Sequence, residues 1–124
     1  MLDHLLKFLG QTYTNFKRSE IAYNNYLHDE KKFIHAKILK TCNEQIRSLL
    51  LENSFLLPDT LQQDTLKLIA HYDIWIEKWI DLEQRSKPNL EDKFVFQNAN
   101  PFPKEASNNL ENEYLKLKKD RFNL

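Results

Sequence analysis

Glycine is nearly absent from this chain: Gly10 is the only one among 124 residues, and proline occurs four times. Sheet-rich and Rossmann-like designs need glycine at turns and in phosphate loops, whereas packed helices do without it, so the composition predicts an all-α fold. The same scarcity excludes glycine-rich phosphate cradles and the glycine-containing elbow of nucleophilic hydrolases. Cysteine is as rare. Cys42 stands alone, which excludes an internal disulfide framework and any multi-cysteine zinc site and suits a reducing, cytoplasmic setting. No apolar run of about 18 to 20 residues exists, so no helix is expected to span a bilayer. The N-terminal MLDHLLKFLG is apolar but short, carries Asp3 ahead of Lys7 and lacks a small-residue cleavage site, and it reads as mature protein. Neither sign of charge dominates. Lys and Arg number 18, and Asp and Glu also number 18, so no global field draws nucleic acid or an anionic membrane, and binding to either would need a local patch.

The clearest pattern present is Asp59 to Glu83, DTLQQDTLKLIAHYDIWIEKWIDLE. Pro58 disfavours helical geometry in the residue before it. Asp59 and Gln62 then resemble a capping box, which predicts a helix over about 60–85. Leu61, Thr65, Leu68, Tyr72, Trp75, Trp79 and Leu82 alternate three and four apart and share one face. Leu66, Ile69, Ile76 and Ile80 widen that face, while Gln63, Lys67, Ala70, Ile74, Lys78 and Asp81 form the opposite side. A stripe so wide implies two neighbouring helices.

Ahead of it, Leu2, Leu5, Leu6, Leu9, Tyr13, Phe16, Tyr23 and Leu27 repeat with helical spacing, and Phe33, Ile34, Ile38, Leu39, Cys42, Ile46, Leu49 and Leu50 resume it. An unbroken helix over 2–54 would exceed roughly 60 Å and suggest a dimer arm. The alternative is two helices, about 2–27 and 30–54, broken at Asn24, Asn25, His28 and Asp29, with Asp29 capping a helix that begins at Glu30. The short link before Pro58 then makes an antiparallel hairpin of the second and third helices, burying Leu39, Ile46 and Leu49 against Leu61, Leu68, Tyr72 and Trp75.

Three of the four prolines follow Arg85, and helical periodicity lapses over 86–106. A structureless stretch of that length is usually functional or mobile. Phe94, Val95, Phe96 and Phe102 are too apolar for a freely solvated linker. The expectation is an extended strap that lays its phenylalanines into a groove between helices, with Phe102 as an anchor. Ser107 is expected to cap a last helix over 107–121. The chain is read as a single domain, a small helical bundle with a central hairpin, a strap and a C-terminal helix.

Motifs that carry chemistry are missing. Di-iron bundles need Glu-x-x-His pairs, and the sequence contains neither that pair nor HExxH nor a Cys/His metal spacing, so no metal or cofactor is implied. His71, Asp73 and Glu77 lie near the tryptophans, but the two carboxylates fall on the flank of the stripe, where they meet solvent or a cation of another helix. Cys42 sits on the apolar stripe as a small buried hydrophobe, not in the cationic, exposed setting of a reactive thiol. Lys31, Lys32, Lys37 and Lys40 form one basic cluster and Lys116 to Arg121 another, the usual look of solvated helix faces. What is abundant is aromatic surface: Tyr72, Trp75, Trp79, Phe94, Phe96 and Phe102 are the candidate interface or pocket residues. The reading is a non-enzymatic protein-protein interaction module, an adaptor, regulatory subunit or inhibitor-type protein, with a protein partner or homodimer. Two alternatives are a ligand-binding or enzymatic domain with a pocket near His71, Trp75 and Phe102, and nucleic-acid binding through the lysine clusters.

Overall fold

The computed structural model describes residues 2–122, and they form four α-helices: α1 (Leu2–His28), α2 (Phe33–Asn53), α3 (Gln62–Ser86) and α4 (Lys104–Phe122). Single 3₁₀ turns at Ser54–Leu56 and Asp59–Leu61 join α2 to α3. Among the described residues there is no strand, only an isolated antiparallel bridge between Lys32 and Lys93. No helix among them is long and apolar enough to cross a membrane.

Residues 2–54 are therefore two helices, but the break is not built as the sequence suggests. Glu30 and Lys31 adopt left-handed conformations with φ of 57° and 54°, which reverses the chain at a cost of roughly 1–2 kcal/mol per residue. Asp29 does not cap α2. Its carboxylate accepts from His35 Nε2 at 2.8 Å and lies 3.3 Å from Lys32 Nζ. The open amides of the first turn of α2 are met instead by a distant backbone: Phe33 N donates to Asp92 O at 2.8 Å and Ile34 N to Leu90 O at 3.0 Å. Helix ends must find such partners, and here the connection between α3 and α4 supplies them.

Two further ends differ from expectation. Asp59 opens a 3₁₀ turn, and α3 starts at Gln62 without a side-chain cap. Gln62 Nε2 reaches back, donating to Ser54 O at 2.9 Å and Leu57 O at 3.1 Å, so it satisfies carbonyls of the preceding turn and makes no capping box. Ser107 lies inside α4, buried, with its hydroxyl donating to Lys104 O. Lys87 ends α3 with φ 45° and donates its amide to Glu83 O, the single-bond left-handed termination, and Pro88 follows.

The α3 stripe packs as its spacing dictates. Leu61, Thr65, Leu68, Tyr72, Trp75 and Trp79 are all buried. One apolar cluster joins Phe8, Leu9 and Phe16 of α1 to Ile46 and Leu50 of α2, Leu68 and Tyr72 of α3 and Leu110 of α4. A second gathers Tyr26, Phe33, Ala36, Trp75, Trp79 and Phe94, and Ile76 borders both. Cys42 is fully buried and free, and burial pushes its thiol pKa up. Buried hydroxyls are answered locally: Thr12 donates to Phe8 O and Thr65 to Leu61 O, each to the carbonyl four residues back. At the surface α2 and α3 are linked by the Arg47–Asp73 ion pair, and α1 and α4 by Lys17–Glu111 at 3.5 Å and Arg121–Asp3 at 3.2 Å. Gly10 fits where α1 meets α4, since a Cβ there would stand 3.2 Å from Tyr114 Cε1.

Candidate binding groove

Residues 87–103, which carry no helix, are tied to the helices and to the α1–α2 turn by several contacts. Phe94 N donates to Lys31 O at 2.8 Å. The Tyr26 hydroxyl donates to Phe94 O at 2.5 Å and accepts from Phe96 N at 3.0 Å, so one buried side chain satisfies two backbone groups of the segment; burial raises its pKa. Phe94 itself is wedged between Phe33 and Trp79, with ring centroids 5.1 Å away on each side. Lys32 adds ion pairs to Asp29 and, at 3.0 Å, to Glu91. Beyond Phe94 the segment runs across α3. Phe96 meets Trp75 edge-on at 5.2 Å, and Phe102 meets His71 at 5.3 Å and Tyr72 at 6.2 Å.

Between this segment and the helices lies a groove of about 860 Å³. Its floor comes from His71, Tyr72, Trp75 and Trp79 of α3, and one wall from Phe16, Tyr23, Tyr26 and Leu27 of α1. Residues 96–102 form the other side, and Lys104, Ser107 and Glu111 of α4 close one end. Of the six aromatic residues singled out in the sequence, Tyr72, Trp75, Trp79 and Phe94 are core, Phe96 is half-buried and Phe102 is 40% exposed. All but Phe94 line the groove. Trp79, at 1% exposure, is a core side chain, with Lys40 Nζ 5.0 Å from its ring centroid.

The polar groups at the groove are unevenly matched. Burial lowers the pKa of His71, which keeps it neutral near pH 7. Its Nδ1, Trp79 Nε1 and Asn98 Nδ2 are buried nitrogens with no hydrogen-bond partner among the described residues. Asn98 Oδ1, by contrast, accepts from Asn100 N at 3.2 Å. Four charged residues line the groove: Glu20, Lys31, Lys104 and Glu111. Glu20 faces Lys104 at 3.8 Å and Glu111 faces Lys17 at 3.5 Å. Lys31 has no carboxylate of a described residue within 4.0 Å.

His71, Asp73 and Glu77 are not assembled into one site. Asp73 pairs with Arg47, Glu77 is exposed, and neither lines the groove. Among the described residues no group of three or more His, Cys, Asp or Glu is arranged to hold a metal ion. Half of the first lysine cluster is occupied, with Lys32 on Asp29 and Glu91 and Lys40 on Glu44 and Trp79. Sequence reasoning placed Lys31 only in a basic cluster and missed Tyr26 and Asn98 as groove residues. Tyr26 falls three residues after Tyr23 of the α1 stripe, but nothing marks its hydroxyl, and nothing in the sequence places Asn98 at the same groove as the tryptophans. No family model, curated protein or solved structure matches this chain.

Proposed function

We propose that this protein works by binding and not by catalysis, and that the groove between α1, α3 and residues 96–102 holds the apolar part of a small molecule. One observation carries the reading: an aromatic-lined groove of about 860 Å³ containing His71, Trp75 and Phe102. Small-molecule sites typically enclose about 300–1,000 Å³, are apolar and aromatic in their lining, and contain a few polar or pKa-shifted groups. Here Trp75 and Phe102 supply the apolar surface and His71 the shifted group. Catalysis finds less support, because no nucleophile, base and orienting group converge there. The reading includes the finer architecture that serves it: a bundle in which α2 and α3 form a hairpin and residues 87–103, shorter at both ends than the sequence suggests, act as a strap across the groove. Tryptophan fluorescence and thermal shift across a panel of amphipathic metabolites test it. A saturable change for one chemical class supports it, and no specific shift for any class counts against it.

A second reading is a protein-protein interaction module working in the cytoplasm, through a partner or a second copy. It is favoured by apolar side chains that no helix covers, above all Phe55 at 76% exposure, with Ile21, Leu51 and Leu66 also more than half exposed. Such residues are common singly on surfaces, so sedimentation at micromolar concentration and a pull-down decide. A compact monomer that recovers nothing ends this reading.

A further inference from the structure

Of the three buried nitrogens at the groove left without a partner among the described residues, His71 Nδ1 can donate or accept according to its tautomer, and the other two only donate. Trp79 Nε1 is only a hydrogen-bond donor, and so is Asn98 Nδ2, whose orientation is set because Asn98 Oδ1 already accepts from Asn100 N. Both are buried without a partner among the described residues. The charge left over has the matching sign: Glu20, Lys104 and Glu111 each face an opposite charge, and Lys31 does not. Lys31 is held at this end of the groove by its own backbone, since its carbonyl accepts from Phe94 N and its amide donates to Tyr26 O. Its left-handed φ of 54° is part of the turn that joins α1 to α2. Unpaired buried donors are uncommon in folded proteins and mark places where a partner belongs.

We infer that the groove takes an amphipathic monocarboxylate, its apolar body against Trp75, Tyr23 and Phe102 and its carboxylate toward Lys31, Trp79 and Asn98. The inference rests on the small-molecule reading and adds the head group to it. A single unpaired cation matches a singly charged head group, and two N–H donors suit its two acceptor oxygens. Trp79 Nε1 and Asn98 Nδ2 are covered by protein, so the carboxylate reaches them only as the segment that carries Asn98, and that packs Phe94 on Trp79, shifts, and tryptophan emission reports that shift. An amine head group would add a cation beside Lys31 and leave both donors unpaired, and an alcohol would leave the charge unmatched.

The test uses the whole chain with decanoate, 1-decanol and decylamine, each below its micellar concentration, titrated by tryptophan fluorescence and calorimetry. Decanoate is expected to bind about tenfold or more tightly than 1-decanol, the scale of one charge-assisted contact, and decylamine more weakly than both. Lys31→Met keeps the aliphatic stem and removes the charge; it is expected to remove most of the preference for decanoate over 1-decanol. Asn98→Ala is a second, independent variant, expected to weaken decanoate selectively. Equal binding of decanoate and 1-decanol, or a decanoate preference undiminished by Lys31→Met, overturns the carboxylate inference and leaves the small-molecule reading standing. Binding of none of the three overturns the inference, and the metabolite panel then decides the reading beneath it.

Discussion

Tyr26→Phe changes one oxygen and tests how residues 87–103 are held to the helices. In the native chain the Tyr26 hydroxyl donates to Phe94 O and accepts from Phe96 N. Phenylalanine keeps the ring in its buried place beside Phe33, Trp75 and Trp79, so no large cavity opens. What remains is a carbonyl of the buried Phe94 and an amide of the half-buried Phe96, both without their partner. A buried group left unpaired costs about 1–3 kcal/mol, and Phe96 contributes at the low end because it is partly exposed. The sum is about 2–4 kcal/mol. With a urea m-value of about 1.5 kcal/mol/M, ordinary for a chain of this size, the midpoint should fall by about 1.3–2.7 M. The loss should be local before it is global, since Phe94 N still donates to Lys31 O while residues 95–102 lose their nearest tether. Limited proteolysis within that stretch is therefore expected to accelerate more than unfolding does. If the midpoint shifts by less than about 0.3 M and cleavage is unchanged, the hydroxyl is not what fixes the segment and the account of the groove's outer side is wrong.

Other consequences are simpler. Trp79→Ala, which empties a core site between α2, α3 and Phe94, is expected to cost about 3–5 kcal/mol in chemical denaturation; a stable variant with a changed sedimentation coefficient would place Trp79 at an interface instead. Gly10→Ala sets a gain in helix propensity of about 1 kcal/mol against a Cβ 3.2 Å from Tyr114 Cε1, so little net change is expected, whereas Gly10→Leu should destabilise clearly by driving Tyr114 aside. His71 has a folded-state pKa below its ordinary 6.5 because burial disfavours the charged ring, so the unfolded chain binds the extra proton first. Stability should be full above about pH 6.5 and decline as pH falls toward the depressed value, and His71→Gln should remove that part of the decline; an unchanged profile would refute it. Cys42, buried with a raised thiol pKa, should react with a thiol reagent only at the rate at which the protein opens.

The sequence carried the helical class and the centres of the helix faces well, and the termini poorly. It widened those faces too far, since Leu66, Leu2, Tyr23, Leu27 and Ile38 are exposed. The three-and-four spacing from Leu61 to Trp79 found the buried side of α3, because burial there depends on periodicity alone. Ile74, assigned to the outer side, is exposed. The ends failed where tertiary partners replaced local ones. Asp29, Asp59 and Ser107 have good capping chemistry, but Asp29 bonds His35, Asp59 enters a 3₁₀ turn, and Ser107 is carried inside α4 by its earlier start at Lys104. The first amides of α2 are met by Leu90 O and Asp92 O, about sixty residues further along the chain, a pairing no local window contains. The candidate site was half legible. Tyr72, Trp75 and Trp79 are marked by the stripe and Phe96 and Phe102 by being apolar in a stretch without helical period. Lys31 acquires meaning only because left-handed turns at non-glycine residues bring it to the groove, and such turns leave no signature in the sequence.

The central claim is that the groove between α1, α3 and residues 96–102 is a binding site, and mapping amide shifts by heteronuclear NMR during a decanoate titration tests it most directly. The account predicts saturable shifts confined to Tyr23–Lys31, His71–Trp79 and residues 94–104, with the tryptophan side-chain Nε1 proton of Trp79 among the most displaced. Shifts centred on Leu51, Phe55 and Leu66, or scattered without saturation, would contradict it.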